Sequence, residues 1–300
     1  PGPENHRIMN PLSTLDLTEW DAALPTEAAA AATSALESGN VLFMPQLDFA
    51  LSAGEQRFLS PQWLEGTAKN VSYDPRVAAI AHTSAAGDDR AQLTQLMARY
   101  AQHARALVAS VCPHYGDQLR YGLTSFRPVE TRGRETSRKK DDRRLHIDAF
   151  ASRPNQGLRI LRVFSNINPR GEPRVWEIGE PFDAMAQRFA RRVPPQWPGS
   201  AWLLERLHVT KGRRSAYDHI MLNLHDTAKL DDVYQRAIER TRCEFPAHST
   251  WIVFTDRVMH AALAGQFLLE QTFYLPVAAM RDASRAPLRI LEDIYQRRLA

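Results

Sequence analysis

The sequence predicts an α+β chain in which short strands build a sandwich or jelly roll and helices wrap around it. Three observations point there. The first 110 or so residues carry mainly helical patterns. From Leu119 onward, short strand-like runs recur between turn-forming segments. No internal repeat, G-x-G-x-x-G or P-loop run marks an alternating α/β sheet. At 300 residues the chain is long enough to bury a sizeable core in a single domain. The expected organisation is one domain over 1–300, with mainly helical wrapping over 1–118, a jelly-roll core over 119–280 and a C-terminal helix over 281–300.

Residues 28–36 (AAAAATSAL) are a run of strong helix formers that Gly39-Asn40 then stops. Residues 41–45 (VLFMP) form a short apolar run closed by proline and read as a strand. Over 92–111 the positions Leu93, Leu96, Met97, Tyr100, His103, Leu107 and Val111 recur at three- and four-residue steps. That spacing predicts an amphipathic helix, ended by Pro113 and Gly116. Residues 119–128 (LRYGLTSFRP) alternate as a strand does. Further strand-like runs stand at 145–150, 158–167, 174–178, 219–224, 251–262 and 266–275. Ala264-Gly265 reads as a tight hairpin turn between the last two. Helices are expected over 230–241 and 288–299.

Composition excludes several classes. Lys+Arg exceed Asp+Glu by 38 to 34, a net +4 that rules out a histone-like polycation. Two cysteines, Cys112 and Cys243, are too few for a disulfide scaffold or an all-cysteine zinc site. No apolar run approaches the ~18 residues a bilayer-spanning helix needs. The N-terminus (PGPEN) lacks the basic and apolar regions of a signal peptide, so the expected compartment is the reducing cytoplasm.

His146-Ile147-Asp148 is the motif with chemistry in it. On a strand, residues i and i+2 project from one face, so this imidazole and carboxylate point at one spot. A histidine from a distant strand would complete a two-His-one-carboxylate set with open positions for Fe(II) chemistry, and His260, in TWIVFTDRVMHAAL, is the candidate. The plain alternative is a half-buried strand with a surface carboxylate.

Residues 158–167 (LRILRVFSNI) carry two arginines on opposite faces, so one can point inward while the other is solvated. Arg162 shares its face with Leu158, Ile160 and Phe164, and a guanidinium buried there needs a carboxylate. That carboxylate is either a bound 2-oxo acid, clamped in bidentate fashion, or an internal partner such as Glu172 or Glu177. Arg127 is a second inward candidate. His208, His219, His225 and His248 read as ordinary core or surface histidines, and no nucleophile-elbow pattern is present.

Residues 131–144 hold seven basic side chains (Arg132, Arg134, Arg138, Lys139, Lys140, Arg143 and Arg144) against Glu135, Asp141 and Asp142. Three readings stand side by side: a solvated loop, a phosphate-contacting loop without the aromatics of a stacking platform, or a grip on an acidic sugar or lipid phosphates. At an anionic membrane surface each Lys or Arg contributes about 1 kcal/mol.

Residues 146–154 (HIDAFASRP), 159–169 (RILRVFSNINP) and 171–178 (GEPRVWEI) together resemble the bacterial Kdo hydroxylase family. These are Fe(II)/2-oxoglutarate-dependent dioxygenases acting on 3-deoxy-D-manno-oct-2-ulosonic acid (Kdo) in the lipopolysaccharide inner core. The likeness runs from the N-terminal helical part to the C-terminal helix and is most specific over 145–178.

The resemblance implies a double-stranded β-helix (jelly-roll, cupin-like) core, with His146, Asp148 and His260 as the metal ligands of Fe(II) and 2-oxoglutarate as co-substrate. Many relatives in the wider superfamily place the co-substrate arginine about ten residues beyond the distal histidine, where Glu270 and Gln271 stand here. Arg162, sixteen residues after His146, resembles an alternative placement of that anchor. Arg127 and Trp176 are its implied pocket neighbours.

The implied reaction hydroxylates C3 of Kdo in a Kdo-containing lipid A precursor, consumes dioxygen and releases succinate and carbon dioxide. Arg138, Lys139, Lys140, Arg143 and Arg144, with Arg206, Lys211, Arg213 and Arg214, would receive the sugar's carboxylate and the lipid's phosphates. The implied setting is cytoplasmic, with peripheral contact to the anionic cytoplasmic membrane face and no nucleic acid partner. Two other readings stay open: a JmjC-like protein side-chain hydroxylase on the same iron site, and a metal-free jelly-roll module for anionic glycans.

Overall fold

The computed structural model of the chain describes residues 10–133 and 136–300; Arg134 and Glu135 of the basic stretch, and the terminal PGPEN, lie outside the described residues. In chain order its strands are β1 (Leu12–Thr14), β2 (Val41–Met44), β3 (Val71–Asp74), β4 (Ala79–Ala81), β5 (Arg120–Arg127), β6 (Arg159–Asn166), β7 (Arg174–Ile178), β8 (Thr241–Phe245), β9 (Ser249–Phe254), β10 (His260–Ala264) and β11 (Leu268–Leu275). The helices are α1 (Thr26–Ser38), α2 (Gly87–Val111), α3 (Phe182–Phe189), α4 (Ser200–Arg206), α5 (Ala216–Leu230), α6 (Asp232–Ala237) and α7 (Pro287–Tyr295).

The strands form an eight-stranded sheet, ordered β1-β2-β9-β6-β11-β5-β3-β4, and a three-stranded sheet, β10-β7-β8. Between them lies an aromatic core. Phe164 of β6, Trp251 of β9 and Leu268 of β11 meet Trp176 of β7 and Phe245 of β8, and Phe245 stacks on Trp251 with centroids 4.1 Å apart. Alternation along β6 and β9 sends Leu161, Val163, Ile252 and Phe254 to the other face of the large sheet, against α1, α2, α5 and α7. This is the jelly-roll core with flanking helices that the sequence predicts.

Helix boundaries follow local chemistry. Gly39 adopts φ 103° and closes α1, its N–H donating to the carbonyls of Ala35 and Leu36. α2 begins upstream of the predicted start, with Asp88 and Asp89 in its first turn favourably placed at the positive end of the helix. The Tyr100 hydroxyl donates to the Val163 carbonyl, tying α2 to β6.

Several elements differ from expectation. Segment 1–118 wraps the core with α1 and α2 but also supplies β1–β4, which complete both edges of the large sheet. Residues 219–224, read as a strand, lie inside α5. A capping box between Ser215 and Asp218 starts that helix, and Tyr217, Ile220, Met221, Leu224 and Ala228 give it a helical stripe. The run 251–262 breaks into β9 and β10, which belong to different sheets. For the same reason Ala264-Gly265 is not a hairpin turn: Gly265, at φ 120°, carries the chain from the small sheet to the large one. Among the described residues no helix is long and apolar enough to cross a membrane.

Candidate metal centre

Residues 145–148 pair with β10 only through an isolated antiparallel bridge between His146 and His260. Other groups complete the segment's hydrogen bonding. The Gln235 side chain on α6 accepts from Leu145 N–H at 3.0 Å and donates to its carbonyl at 2.9 Å, and Asp148 N–H donates to the Thr255 carbonyl at 2.7 Å. Leu145 and Ile147 are fully buried in the helix-side core. Period-two alternation therefore turns His146 and Asp148 together to the opposite side.

One ligand atom from each of His146, Asp148 and His260 lies within 4.8 Å of the others, and the two imidazole centroids are 4.6 Å apart. His146 Nδ1–H donates to the Arg144 carbonyl at 2.7 Å and His260 Nδ1–H to the Val258 carbonyl at 2.8 Å. Carbonyls only accept, so each ring carries its proton on Nδ1 and presents the Nε2 lone pair inward. Burial pushes both imidazoles below the ordinary histidine range, with His260 pressing further on His146, and the neutral ring is the form that binds a metal. Burial opposes the Asp148 charge, but Arg162 and the two imidazoles outweigh it and hold the carboxyl below the usual range. Asp148 Oδ2 is buried without a hydrogen bond. Two neutral nitrogens and a carboxylate, open to one side, suit a divalent first-row ion.

The centre opens into a cavity of about 280 Å³ whose wall includes seven Lys and Arg side chains against three carboxylates. Arg162 enters from β6 and is 8% exposed. Its Nη2 lies 3.2 Å from Asp148 Oδ2 and its Nη1 3.2 Å from Glu270 Oε1. Glu270, on β11, also accepts from Arg127 Nη2 at 2.9 Å and Nε at 3.2 Å. The internal partner of Arg162 is thus Glu270 rather than Glu172 or Glu177, because β6 and β11 are direct neighbours. Arg159, the other arginine of that strand, is not solvated: it is fully buried on the helix side, bonded to Asp256 at 2.7 Å and 3.1 Å.

Arg174 is the cavity arginine that sequence reasoning missed. Its Nη1 donates to Thr131 Oγ1 and the Gly265 carbonyl at 2.7 Å and 2.8 Å, and its Nε is buried without a partner. Burial first and Arg127 second pull its pKa down to about 10, against the opposing charges of Glu130, Asp142 and Glu270. The signal was available, since Arg174 begins a predicted strand. Trp176 stacks on His260 at 5.0 Å and its Nε1–H is a buried donor without an acceptor. Lys229 and His225, both from α5, also line the cavity; no local pattern marks Lys229, and His225 reads in sequence as an ordinary histidine.

The basic loop divides. Lys139 and Lys140 line the cavity, and Arg143 borders an adjoining recess with Arg174. Arg138 and Arg144 do not line it: both pair with Asp232, at 2.9 Å and 2.6 Å. Lys139 in turn meets Asp226 of α5 at 2.7 Å and Arg143 meets Asp141 at 2.8 Å, so carboxylates on α5 and α6, invisible in the loop's local sequence, claim much of its charge.

A sequence model of the 3-deoxy-D-manno-oct-2-ulosonic acid (Kdo) hydroxylase family matches residues 19–298. No curated protein sequence matches the chain. Among solved structures it is similar to the Kdo hydroxylase KdoO, described as a non-heme Fe(II) α-ketoglutarate-dependent dioxygenase, in complex with α-ketoglutarate and Fe(III). That likeness has a TM-score of 0.94 and 47% identity over 97% of both chains. The cobalt(II) complex of KdoO aligns at TM-score 0.94 and 48% identity over 96% of this chain and 97% of that one. Its complex with succinate and Fe(III) aligns at 0.93 and 47%, over 96% and 97%.

Proposed function

This chain belongs to the Kdo hydroxylase family, and from that premise we propose how its residues carry out Fe(II)- and 2-oxoglutarate-dependent hydroxylation of Kdo. The proposal places the metal on His146, Asp148 and His260 and the new hydroxyl on C3 of the sugar. The observation that carries it is the three-ligand cluster opening into a cavity with a marked cationic excess. Both 2-oxoglutarate and Kdo bear carboxylates, so such a wall attracts and orients them. The family match, to hydroxylases of Kdo over residues 19–298, favours the sugar over a protein side chain as substrate. A metal-free glycan module would not need the inward Nε2 lone pairs.

When bound, Fe(II) with 2-oxoglutarate supplies the oxidising chemistry that ends in succinate, carbon dioxide and a hydroxylated sugar. The chain supplies orientation and charge placement. Arg144 and Val258 carbonyls fix the ring orientation of the two histidines. Arg162, held by Glu270, steadies the Asp148 carboxylate. Arg162 was the expected co-substrate anchor, yet two protein carboxylates already neutralise it. We therefore assign the distal carboxylate of 2-oxoglutarate to Arg174, with Trp176 Nε1–H as a second donor and Arg127 and Arg162 as neighbours in the same wall. Lys139 and Lys140 line the same cavity, and the anionic groups of the substrate would compete with Asp226 for Lys139 and with Asp141 for Arg143. A cytoplasmic enzyme meeting a Kdo-containing lipid A precursor at an anionic membrane face fits this arrangement.

The test is turnover. Purified protein with Fe(II), 2-oxoglutarate and Kdo-lipid A is expected to yield succinate together with a sugar heavier by one oxygen, hydroxylated at C3. Succinate formation that ignores Kdo, or oxygen at another carbon, would overturn the assignment.

A further inference from the structure

The segment 194–214 stands out from the rest of the surface. α4 lies within it and buries none of its residues. Trp197 is 80% exposed, Trp202 58%, Leu203 49%, Leu207 62% and Val209 56%. Five large apolar side chains within thirteen residues stay about half or more exposed, and such exposure points to something outside the fold. The charges around them are one-sided: Arg206, Lys211, Arg213 and Arg214 face only Glu205 in the same segment.

The segment is also joined to the stretch of chain that enters the wall of the metal-centre cavity. Lys211 N–H donates to the Ser152 carbonyl at 2.9 Å, Arg214 Nη2 donates to the Ala151 carbonyl at 2.7 Å, and Gln156 Nε2 donates to the Arg213 carbonyl at 3.2 Å. Residues 151–156 directly follow Ala149 and Phe150, which line that cavity.

We propose that the 197–209 apolar surface, with its flanking cations, is the element that docks the enzyme on an anionic lipid bilayer beside the entrance to its active site. Tryptophan favours the headgroup level of a bilayer, where its ring is half in apolar surroundings and its N–H stays hydrated. Leu203, Leu207 and Val209 reach below that level, while Arg206, Lys211 and Arg213 meet lipid phosphates. The sign of the charge selects an anionic lipid surface over an uncharged one. Docking there would hold the cavity mouth at the depth where a lipid-linked sugar emerges. The inference rests on the reading of the substrate as lipid-linked, although bilayer binding is measured without any substrate.

The experiment is flotation of the full chain with vesicles of phosphatidylethanolamine and phosphatidylglycerol, and with phosphatidylcholine vesicles as the uncharged comparison. The wild-type chain is expected to float with the anionic vesicles only, less so as salt is raised, with a blue shift of tryptophan emission. Trp197→Ser/Trp202→Ser/Leu203→Ser is expected to lose roughly tenfold or more of that affinity. The same variant should turn over a water-soluble Kdo saccharide at the wild-type rate, which also shows that it folds. Lys211→Glu/Arg213→Glu should remove the preference for anionic vesicles.

Equal flotation of the triple variant would overturn the proposal. So would a wild-type chain that ignores vesicles but forms a dimer which the triple variant breaks, since the surface would then belong to a second copy. Vesicle binding together with turnover of soluble Kdo but not of Kdo-lipid A would leave the docking surface standing and sink the lipid-linked substrate instead.

Discussion

His146 and His260 exchange both of their backbone hydrogen bonds, His146 N–H to the His260 carbonyl at 3.0 Å and the reverse at 2.9 Å. In an antiparallel pair this relation puts the two side chains side by side on one face. Two residues more than a hundred positions apart are thereby held in ligand register by the backbone itself.

That register depends on Gln235, which bonds both backbone groups of Leu145. Gln235→Ala is expected to weaken metal affinity on the order of tenfold while leaving all three ligands in place. Titration with Co(II), followed by its visible absorption, measures this. Unchanged affinity would mean that the histidine bridge holds the segment alone.

Arg174→Met is expected to raise KM for 2-oxoglutarate on the order of tenfold or more, with metal affinity unaltered, because it removes a guanidinium whose Nε has no partner in the protein. Arg162→Met should instead weaken the metal, since Asp148 loses the charge that steadies it. Steady-state kinetics and metal titration on the two variants separate these roles; the reverse pattern would return the anchor to Arg162.

Gly265→Ala tests the same assignment from the backbone. A Cβ at Gly265 would stand 2.7 Å from Arg174 Cδ and 3.0 Å from its Cα, at φ +120°. The expected result is a loss of about 1–3 kcal/mol in unfolding free energy together with a higher KM for 2-oxoglutarate. Urea denaturation and kinetics check both; an unchanged KM would show that Arg174 is not needed in its present place.

Behind the large sheet, Arg159 and Asp256 are both fully buried, and Arg159 also lies over the Phe254 ring at 3.9 Å. Arg159→Met leaves a carboxylate without its partner and is expected to cost about 3–5 kcal/mol, whereas Arg159→Met/Asp256→Leu should recover much of it. Urea denaturation of both variants decides. A single variant as stable as the parent would contradict the pairing.

The sequence made the ligand pair legible because His146 and Asp148 are two residues apart, and strand geometry translates that spacing directly into a shared face. His260 was legible as a late-strand histidine, though its partner strand was not. The ion pairs were not readable: Arg162 meets Glu270 and Arg138 meets Asp232 across about a hundred residues, and local pattern carries no information on such pairing. Residues 219–224 misled because a six-residue window of mixed apolar character fits both periods. Only the longer stripe from Tyr217 to Ala228, opened by the Ser215 cap, distinguishes helix from strand. Ala264-Gly265 has the composition of a hairpin turn, yet which sheet each flanking strand joins is decided by packing.

The central claim is that His146, Asp148 and His260 together hold one catalytic ion. Anaerobic Fe(II) titration of the wild-type chain and of His146→Ala, Asp148→Ala and His260→Ala measures it most directly. The expected result is one equivalent bound by the wild type and a large loss of affinity in each variant, with Kdo-dependent succinate formation disappearing in parallel. Full binding retained by any one of the three would contradict the claim and place the iron elsewhere.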